Sequence, residues 1–134
     1  KTKEGLRVVL YRRMMFEIAQ EIAKKEKALG LITGENLGQV ASQTIENIAV
    51  IESGLSLPVL RPLITYDKEE IIQKAKSIGT FDLSVQEHQD CCSRFLPKHP
   101  ETRANLKEVL SEEKKLKIKK IVGQALANLI IENL

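Results

Sequence analysis

The residues Thr33-Gly-Glu-Asn-Leu-Gly-Gln-Val-Ala-Ser-Gln-Thr44 are mostly small or polar, and they separate a predicted strand from a predicted helix. The apolar residues 28–33 predict a short buried strand, and apolar residues at helical spacing predict a helix over about 39–52. In an open α/β sheet, a strand followed by a glycine-bearing turn and a helix forms the edge where ligands bind. Backbone N–H groups and a helix N-terminus can hold a phosphate there. The pattern favours a nucleotide site in this segment, which we name the 33–44 loop.

A tight connection between a strand and a helix is the alternative explanation of the 33–44 loop. Glycine is common wherever the backbone needs a positive φ, so Gly34 and Gly38 can serve the backbone alone. Glu35 is a candidate for binding a ribose hydroxyl or a metal ion, but acidic residues at helix starts also cap helices. Both explanations stay open at this point.

The composition indicates one domain, or part of one. A chain of 134 residues buries about two thirds of its unfolded surface and can hold a core. Aromatic residues make up 4% and Trp is absent, which is typical of helices packed on a parallel sheet. No apolar run approaches the roughly 20 residues of a bilayer span, and nothing resembles a signal segment. We therefore expect a cytoplasmic protein with no membrane partner.

A helix is predicted over about 11–27, because apolar residues recur there at three- and four-residue steps. Arg12 and Arg13 begin this predicted helix, and one of them must face outward while the apolar stripe faces the core. If that end of the helix lies near the 33–44 loop, the forked donors of a guanidinium can reach a phosphate. An ordinary solvent-exposed arginine is the alternative.

The middle of the chain predicts a strand and a well-specified helix. Residues 57–64 are extended and bracketed by prolines, so they form a short strand or a sheet edge. Asp67 and Glu70 have the spacing of a capping box before a helix over 68–78. Gly79 then ends that helix.

Residues 80–101 predict a loop of about 20 residues, a length typical of functional or mobile segments. Its adjacent cysteines, Cys91 and Cys92, are the only two in the chain, which excludes a disulfide framework and a four-cysteine zinc site. A thiolate is the one strong nucleophile in this loop, and His88 or His99 are candidates for its base. The two cysteines can be buried structural thiols or reactive thiols. Each histidine can equally be an ordinary surface residue.

The remaining residues, 102–134, predict helix. Basic and acidic residues alternate along most of the chain, whose formal net charge is +3, but Lys114-Lys-Leu-Lys-Ile-Lys-Lys120 is a concentrated basic run. We interpret this run as a solvated helix face whose apolar residues point inward. Contact with nucleic-acid phosphates is the alternative.

Six motifs occur in order along the chain: Tyr11-Arg-Arg-Met-Met15, the 33–44 loop, Leu60-Arg-Pro-Leu63, Asp67-Lys-Glu-Glu-Ile71, Ile78-Gly-Thr-Phe81, and Asp90-Cys-Cys92 through Pro97-Lys-His-Pro100. Taken together, they resemble one family, the tRNA 4-thiouridine synthetases called ThiI, which are also named for a part in thiamine biosynthesis. The resemblance extends from about Gly5 to Glu108, so that about 1–110 match the family and 111–134 form a C-terminal helix.

The resemblance implies an α/β fold: a partial Rossmann-like PP-loop domain, of the adenine nucleotide alpha hydrolase-like type, with a short parallel sheet and flanking helices. Residues 1–134 are then the C-terminal portion of a PP-loop ATP pyrophosphatase domain. Such a domain uses ATP, with Mg²⁺ bound through the ATP, to adenylate O4 of a uridine in tRNA. Sulfur from a persulfide, charged by a cysteine desulfurase, then gives 4-thiouridine as AMP leaves. The family is also linked to the sulfur supply of the thiamine thiazole.

The resemblance also assigns site residues. Arg12, Gly34 and Gln43 match the family's contacts to ATP. The family's sulfur-transfer cysteine falls on the pair Cys91 and Cys92, and we slightly prefer Cys91.

One motif of the family, the Ser-Gly-Gly-x-Asp-Ser loop that binds pyrophosphate, has no counterpart in this sequence. The family's RNA-binding parts are absent as well. We expect a missing N-terminal half or another chain to supply these parts, and whether the chain is an enzyme by itself stays open. The alternative is a catalytically incomplete, truncated module that binds nucleotide or self-associates as a homo-oligomer.

Overall fold

The computed structural model describes residues 2–87 and 97–132 as an α/β fold in which helices flank a two-stranded parallel sheet. Single 3-10 turns at Glu4–Leu6 and Ala41–Gln43 precede two of the helices. The elements in chain order are α1 (Arg7–Lys25), β1 (Leu31–Ile32), α2 (Ile45–Glu52), β2 (Val59–Leu60), α3 (Lys68–Ser77), α4 (Phe81–Ser84), α5 (Leu106–Leu116) and α6 (Ile118–Ala127).

Helix α1 begins before the predicted helix over 11–27, because the 3-10 turn at Glu4–Leu6 leads directly into it. Its buried residues recur at three- and four-residue steps, as expected for a helix with one face on a core. Two of them are polar, so the buried face is not the purely apolar stripe that the sequence predicts. The buried residues of α1 are Val9, Leu10, Arg13, Phe16, Gln20 and Ala23.

The core lies where α1 contacts α2, α5 and α6. Leu6, Val9, Ile51 and Val109 are each 1% exposed or less. Full burial of an aliphatic side chain of this size contributes about 1.5–3 kcal/mol. Apolar packing between segments far apart in sequence therefore supports the sheet edge described below.

The sheet pairs Leu31 with Val59 and Ile32 with Leu60. Because side chains alternate along a strand, Leu31 and Val59 pack on the core while Ile32 and Leu60 point to the opposite face. On that face Ile32 is 74% exposed and Leu60 is 57% exposed. A strand is present as predicted, but the prediction that it is buried is wrong for the face that contains Ile32, because no described element covers that face.

The predicted helix over 39–52 is divided into a 3-10 turn at Ala41–Gln43 and helix α2. Thr44, which lies between them, has extended backbone angles of φ −74° and ψ 156°. Its hydroxyl oxygen accepts a hydrogen bond from the Asn47 N–H at 3.2 Å, which caps the new helix. An extended residue cannot continue a helix, so α2 begins only at Ile45.

Helix α3 confirms the predicted capping box and glycine stop. The Glu70 N–H donates to Asp67 Oδ1 at 2.8 Å, and the Asp67 N–H donates to Glu70 Oε2 at 2.7 Å. These reciprocal bonds satisfy two N–H groups that the first turn of a helix leaves open. Gly79 follows the helix with φ +77°, a conformation that glycine adopts without steric cost.

The predicted loop over 80–101 contains one short helix, α4, in its described part. Residues 88–96 lie outside the described residues. After them, the Glu101 N–H donates to the Gly5 carbonyl oxygen at 3.0 Å. The chain is thus tied back to the start of α1 before it enters α5.

Residues 106–116 and 118–127 are helical, as predicted, but they form two helices that meet at Lys117 where the sequence predicts one C-terminal helix. This residue has the left-handed angles φ 53° and ψ 46°, which interrupt the helical backbone between α5 and α6. Helix α6 ends at Ala127. No helix in the described part of the chain is long and apolar enough to cross a bilayer.

Ion pairs around α5 shift two pKa values. Lys3 Nζ donates to Glu108 Oε1 at 2.5 Å, and this hydrogen bond raises the pKa of Lys3. Lys115 Nζ donates to Glu112 Oε1 at 2.5 Å, and this bond lowers the pKa of Glu112. Both amines are exposed to solvent, so these pairs contribute little to stability.

Candidate functional site

The loops that follow the two strands lie side by side at the carboxyl edge of the sheet. The Thr33 N–H donates to the Leu60 carbonyl oxygen at 3.0 Å. Asn36 Nδ2 donates to the carbonyl oxygen of Leu63 at 2.7 Å and to that of Tyr66. These bonds fix the first half of the 33–44 loop against the residues after β2, at the edge where open α/β sheets bind ligands.

A buried carboxylate lies at the centre of this edge. Glu35 is 2% exposed, and its two oxygens accept hydrogen bonds from three side chains. Oε1 accepts from Arg12 Nη2, while Oε2 accepts from Arg61 Nε at 2.7 Å and from Thr33 Oγ1 at 3.1 Å. A carboxylate can be buried only with such partners. Glu35 therefore fastens the 33–44 loop to α1 and to the residue that follows β2.

Arg61 extends these contacts to α2, because its Nη1 also donates to Glu52. We name Arg12, Glu35, Glu52 and Arg61 the charge cluster; it contains two positive and two negative groups. Arg12 Nε and Arg61 Nη2 are buried and have no hydrogen-bond partner among the described residues. The Arg12 guanidinium also lies over Phe16, with Cζ 5.9 Å from the ring centroid.

Exposure differs across the cluster. The side chains of Glu35, Arg61, Arg12 and Glu52 are 2%, 9%, 19% and 35% exposed, respectively. Glu35 is thus the deepest of the four groups, and Arg12 is the more exposed of the two arginines. This arrangement can present a guanidinium to an anion while an internal carboxylate balances its charge.

Arg12 reaches the surface in part whereas Arg13 is buried, and both guanidiniums are ion-paired, so neither is an ordinary solvent-exposed arginine. Arg13 is 5% exposed, and its Nε donates to Glu113 Oε1 at 2.6 Å. Its Nη1 donates to the carbonyl oxygens of Val50 and Ser53, at the C-terminal end of α2. A cation is favourable at that end of a helix. Arg13 thus joins two helices.

Both oxygens of Glu35 already accept hydrogen bonds from other side chains, and contact of Glu35 with a ribose hydroxyl or a metal ion stays a prediction. Glu35 is not the cap of α2, since Thr44 caps that helix. Within residues 2–87 and 97–132, no group of three or more His, Cys, Asp or Glu side chains could hold a metal ion. The described residues do not fit a Mg²⁺ site of their own.

Gly34 and Gln43 lie in the two halves of the 33–44 loop. The Gly38 N–H donates to the Gln43 carbonyl oxygen at 3.0 Å, and Gly38 has φ +75°. A Cβ placed on Gly34 would meet nothing within 4 Å, so no described neighbour occupies the space beside its backbone. Close approach of a ligand to the backbone is one use of such a glycine. Contacts of Gly34 and Gln43 with ATP stay a prediction.

Asn47 links the turn that contains Gln43 to the segment that precedes α5. Its side chain is fully buried, and Nδ2 donates to the carbonyl oxygens of Ala41 at 2.8 Å and Glu101 at 2.7 Å. Oδ1 accepts from the Ala104 N–H at 2.9 Å. One amide side chain therefore satisfies three backbone groups from two distant segments.

Cys91, Cys92 and His88 lie outside the described residues, so a reactive thiol and its base stay predictions. His99 is exposed. The bonds of Asn47 bring the segment at 101–104, which follows the cysteines in sequence, next to the turn that contains Gln43.

Sequence reasoning named neither Arg61 nor Asn47 as a site residue. Arg61 could have been identified from the sequence, because it directly follows β2 and the carboxyl ends of parallel strands meet at one edge of the sheet. No sequence pattern identifies Asn47, since its hydrogen-bond partners lie up to 57 residues away in sequence.

The basic run at Lys114–Lys120 surrounds the break between α5 and α6. Lys114, Lys115, Lys119 and Lys120 are exposed, as the predicted solvated face requires. Contact of these lysines with nucleic-acid phosphates stays a prediction.

Comparison with known proteins gives a consistent result. The family model of the thiamine biosynthesis protein ThiI matches residues 1–118. A probable tRNA sulfurtransferase of Moorella thermoacetica is 51% identical over 124 residues, which cover 92% of this chain and 32% of the relative. A probable tRNA sulfurtransferase of Thermus thermophilus is 52% identical over 120 residues, which cover 90% of this chain and 30% of the relative. The chain thus spans about a third of the length of these curated relatives.

A solved structure gives the same picture. A 4-thiouridine synthetase in complex with RNA and bound ATP resembles this chain with a TM-score of 0.90 and 41% sequence identity. The match covers 98% of this chain and 34% of that protein. This likeness confirms the predicted partial Rossmann-like fold.

Proposed function

Because the chain belongs to the ThiI family, we propose that it is the part of a tRNA sulfurtransferase that binds ATP and contains the sulfur-transfer cysteines. The proposed reaction couples O4 of a tRNA uridine to AMP, with release of pyrophosphate. The outer sulfur of a cysteine persulfide then attacks C4 and displaces AMP, which leaves a disulfide between the uridine and the cysteine. A second thiol attacks this cysteine's sulfur, so that 4-thiouridine is released and the two thiols end as a disulfide. Coupling to AMP is needed because a carbonyl oxygen is a poor leaving group. Sulfur supply to the thiamine thiazole belongs to the same proposal.

One observation carries this proposal. The 33–44 loop lies at the carboxyl edge of a parallel sheet, and Glu35 holds the Arg12 guanidinium beside it. An arginine supported in this way suits the phosphates of a nucleotide, because its forked donors match phosphate oxygens. The open space beside Gly34 adds room for a ligand close to the backbone.

ATP is the proposed cofactor, with Arg12, Gly34 and Gln43 as its contacts in this chain. The similar solved protein contains bound ATP, which supports this assignment. Mg²⁺ is proposed to enter with the ATP phosphates, since the described residues supply no acidic cluster for it. A missing N-terminal half, or another chain, is proposed to supply the pyrophosphate-binding loop.

The proposed partners are tRNA and a cysteine desulfurase, in the cytoplasm. The exposed lysines at 114–120 suit tRNA phosphates, and the similar solved protein is a complex with RNA. The desulfurase is proposed to charge Cys91 or Cys92 with the persulfide.

The cysteine pair gives the direct test of this function. We expect a graft of this chain, in place of the matching third of the Moorella thermoacetica relative, to form 4-thiouridine in tRNA. The double variant Cys91→Ala with Cys92→Ala should form none while it still binds ATP, because only the sulfur carrier is lost. Mass spectrometry of digested tRNA measures the product, and calorimetry measures ATP binding.

The single variants assign the sulfur carrier, and Cys91→Ala is expected to be the inactive one. The unmodified relative shows that the assay works. An inactive graft beside an active relative would contradict the proposed function, whereas thiolation by the double variant would remove both cysteines from the mechanism.

A second candidate function is that of an assembly module that self-associates. The apolar face formed by Ile32 and Leu60 favours it, since parallel sheets are normally covered on both faces and nothing described covers this one. The proposed occupant is the same face of a second copy.

Sedimentation tests the assembly module. We expect the chain to self-associate, and Ile32→Lys with Leu60→Lys to raise the concentration at half-association at least about tenfold, because charge disfavours burial of the face. Leu83→Lys with Val85→Lys is the matched control, because these apolar residues are equally exposed and are not part of either strand. A chain that is monomeric at all concentrations would contradict this candidate.

A further inference from the structure

We infer that Glu35 is a positioning residue for the proposed nucleotide site, acting through Arg12; this inference rests on the proposed binding of ATP. The carboxylate of Glu35 accepts from Arg12 Nη2 on one oxygen and from Arg61 Nε and Thr33 Oγ1 on the other. No ligand needs to touch Glu35 for this role. It fixes where the Arg12 guanidinium lies relative to the 33–44 loop.

The burial of the cluster sets the direction in which Glu35 acts. Glu35 is 2% exposed, so it approaches Arg12 from inside the protein, while Arg12 keeps 19% of its side chain exposed. A free arginine side chain loses about 2 kcal/mol of rotamer entropy when it is ordered. A guanidinium already held by a carboxylate loses less of this freedom when a phosphate binds, so pre-organisation raises affinity.

Arg61 supports the same geometry from the other strand. It donates to Glu35 at 2.7 Å and also donates to Glu52, so it cannot move with the loop independently of α2. The cluster therefore connects α1, the 33–44 loop, the end of β2 and α2. A shift of Glu35 changes the position of Arg12, because Arg12 Nη2 makes its ion pair with Glu35.

The test uses the graft in the Moorella thermoacetica relative and measures ATP affinity by calorimetry. Glu35→Gln removes the negative charge, and we expect the Kd of ATP to rise about tenfold, which corresponds to about 1.4 kcal/mol. The Kd of tRNA should stay within about twofold, because the cluster acts only on the nucleotide. Glu35→Asp is the second variant: it keeps the charge that the buried arginines need but shortens the side chain by one methylene. We expect Glu35→Asp to fold and, like Glu35→Gln, to raise the Kd of ATP.

A double-mutant cycle separates positioning from general stability. If Glu35 acts through Arg12, then Arg12→Ala with Glu35→Gln should bind ATP as weakly as Arg12→Ala alone. Effects that add would overturn the inference, because they would show that Glu35 acts by another route. Unchanged ATP affinity in a folded Glu35→Asp graft would overturn it as well.

Glu113→Gln is the matched control. It removes a carboxylate from an ion pair of similar depth, Arg13 with Glu113, whose side chains are 6% and 16% exposed. Its Kd for ATP should equal that of the unmodified graft. If Glu113→Gln weakened ATP binding as much as Glu35→Gln does, Glu35 would have no specific role. A graft that binds no ATP beside an active relative would refute the proposed function together with the positioning role. Loss of the positioning role alone leaves ATP binding and thiolation intact.

Discussion

Glu35→Ala is expected to lower the free energy of unfolding of the chain by about 3–5 kcal/mol, the range found when one partner of a buried ion pair is removed. The substitution takes away the carboxylate that Arg12 pairs with and one of the two that Arg61 pairs with. Both guanidiniums already have one buried nitrogen without a partner among the described residues. Loss of the Glu35 carboxylate would leave both positive charges with fewer partners in a region that water reaches poorly. Urea denaturation followed by circular dichroism measures the change.

Glu21→Ala is the control for this prediction. Glu21 pairs with Lys24 at 2.7 Å, but the two side chains are 40% and 46% exposed. Exposed pairs of this kind contribute about 0–1 kcal/mol, so the unfolding curve should hardly move. Equal destabilisation by the two substitutions would show that the burial of Glu35 does not matter energetically.

Asn47→Ala is expected to lower the free energy of unfolding by about 2–4 kcal/mol. Each buried polar group left without a hydrogen-bond partner destabilises the fold by about 1–3 kcal/mol, and partial relaxation of the structure offsets part of the sum. The Ala104 N–H and the carbonyl oxygens of Ala41 and Glu101 all lose their bonds to this side chain. Hydrogen exchange gives a local measurement: the amide of Ala104 should lose its protection before the core amides do.

Asn105→Ala makes the same chemical change at an exposed position. Asn105 caps α5 by accepting from the Lys107 and Glu108 N–H groups at 3.0 and 3.4 Å. Loss of such a cap costs about 1 kcal/mol. If Asn47→Ala were no more damaging than Asn105→Ala, Asn47 would not be a structural link between the Gln43 turn and the segment before α5.

Local features of the fold could be predicted because their hydrogen-bond partners lie a few residues apart. Asp67 and Glu70 form the predicted capping box three residues apart, and Gly79 supplies the positive φ that ends α3. The 33–44 loop lies, as predicted, between a strand and a helix. The resemblance of the motifs also identified the family correctly, since its residues and their spacing are properties of the sequence.

Predictions of burial were less successful, because burial depends on which segments meet. Periodicity predicted a helix at the start of the chain, yet Arg13 and Gln20 lie on its buried face with polar partners from other segments. Ile32 is apolar and lies in a strand, but its face of the sheet is uncovered.

The ends of α3, the place of the 33–44 loop between a strand and a helix, and the family follow from the amino-acid sequence alone, since they depend on local backbone chemistry and residue identity. The burial of Glu35 between two arginines depends on tertiary contacts instead, because Arg12 and Arg61 lie 23 and 26 residues away in sequence. A buried charge acquires its role from the groups that folding brings to it, and no spacing in the chain encodes that contact directly.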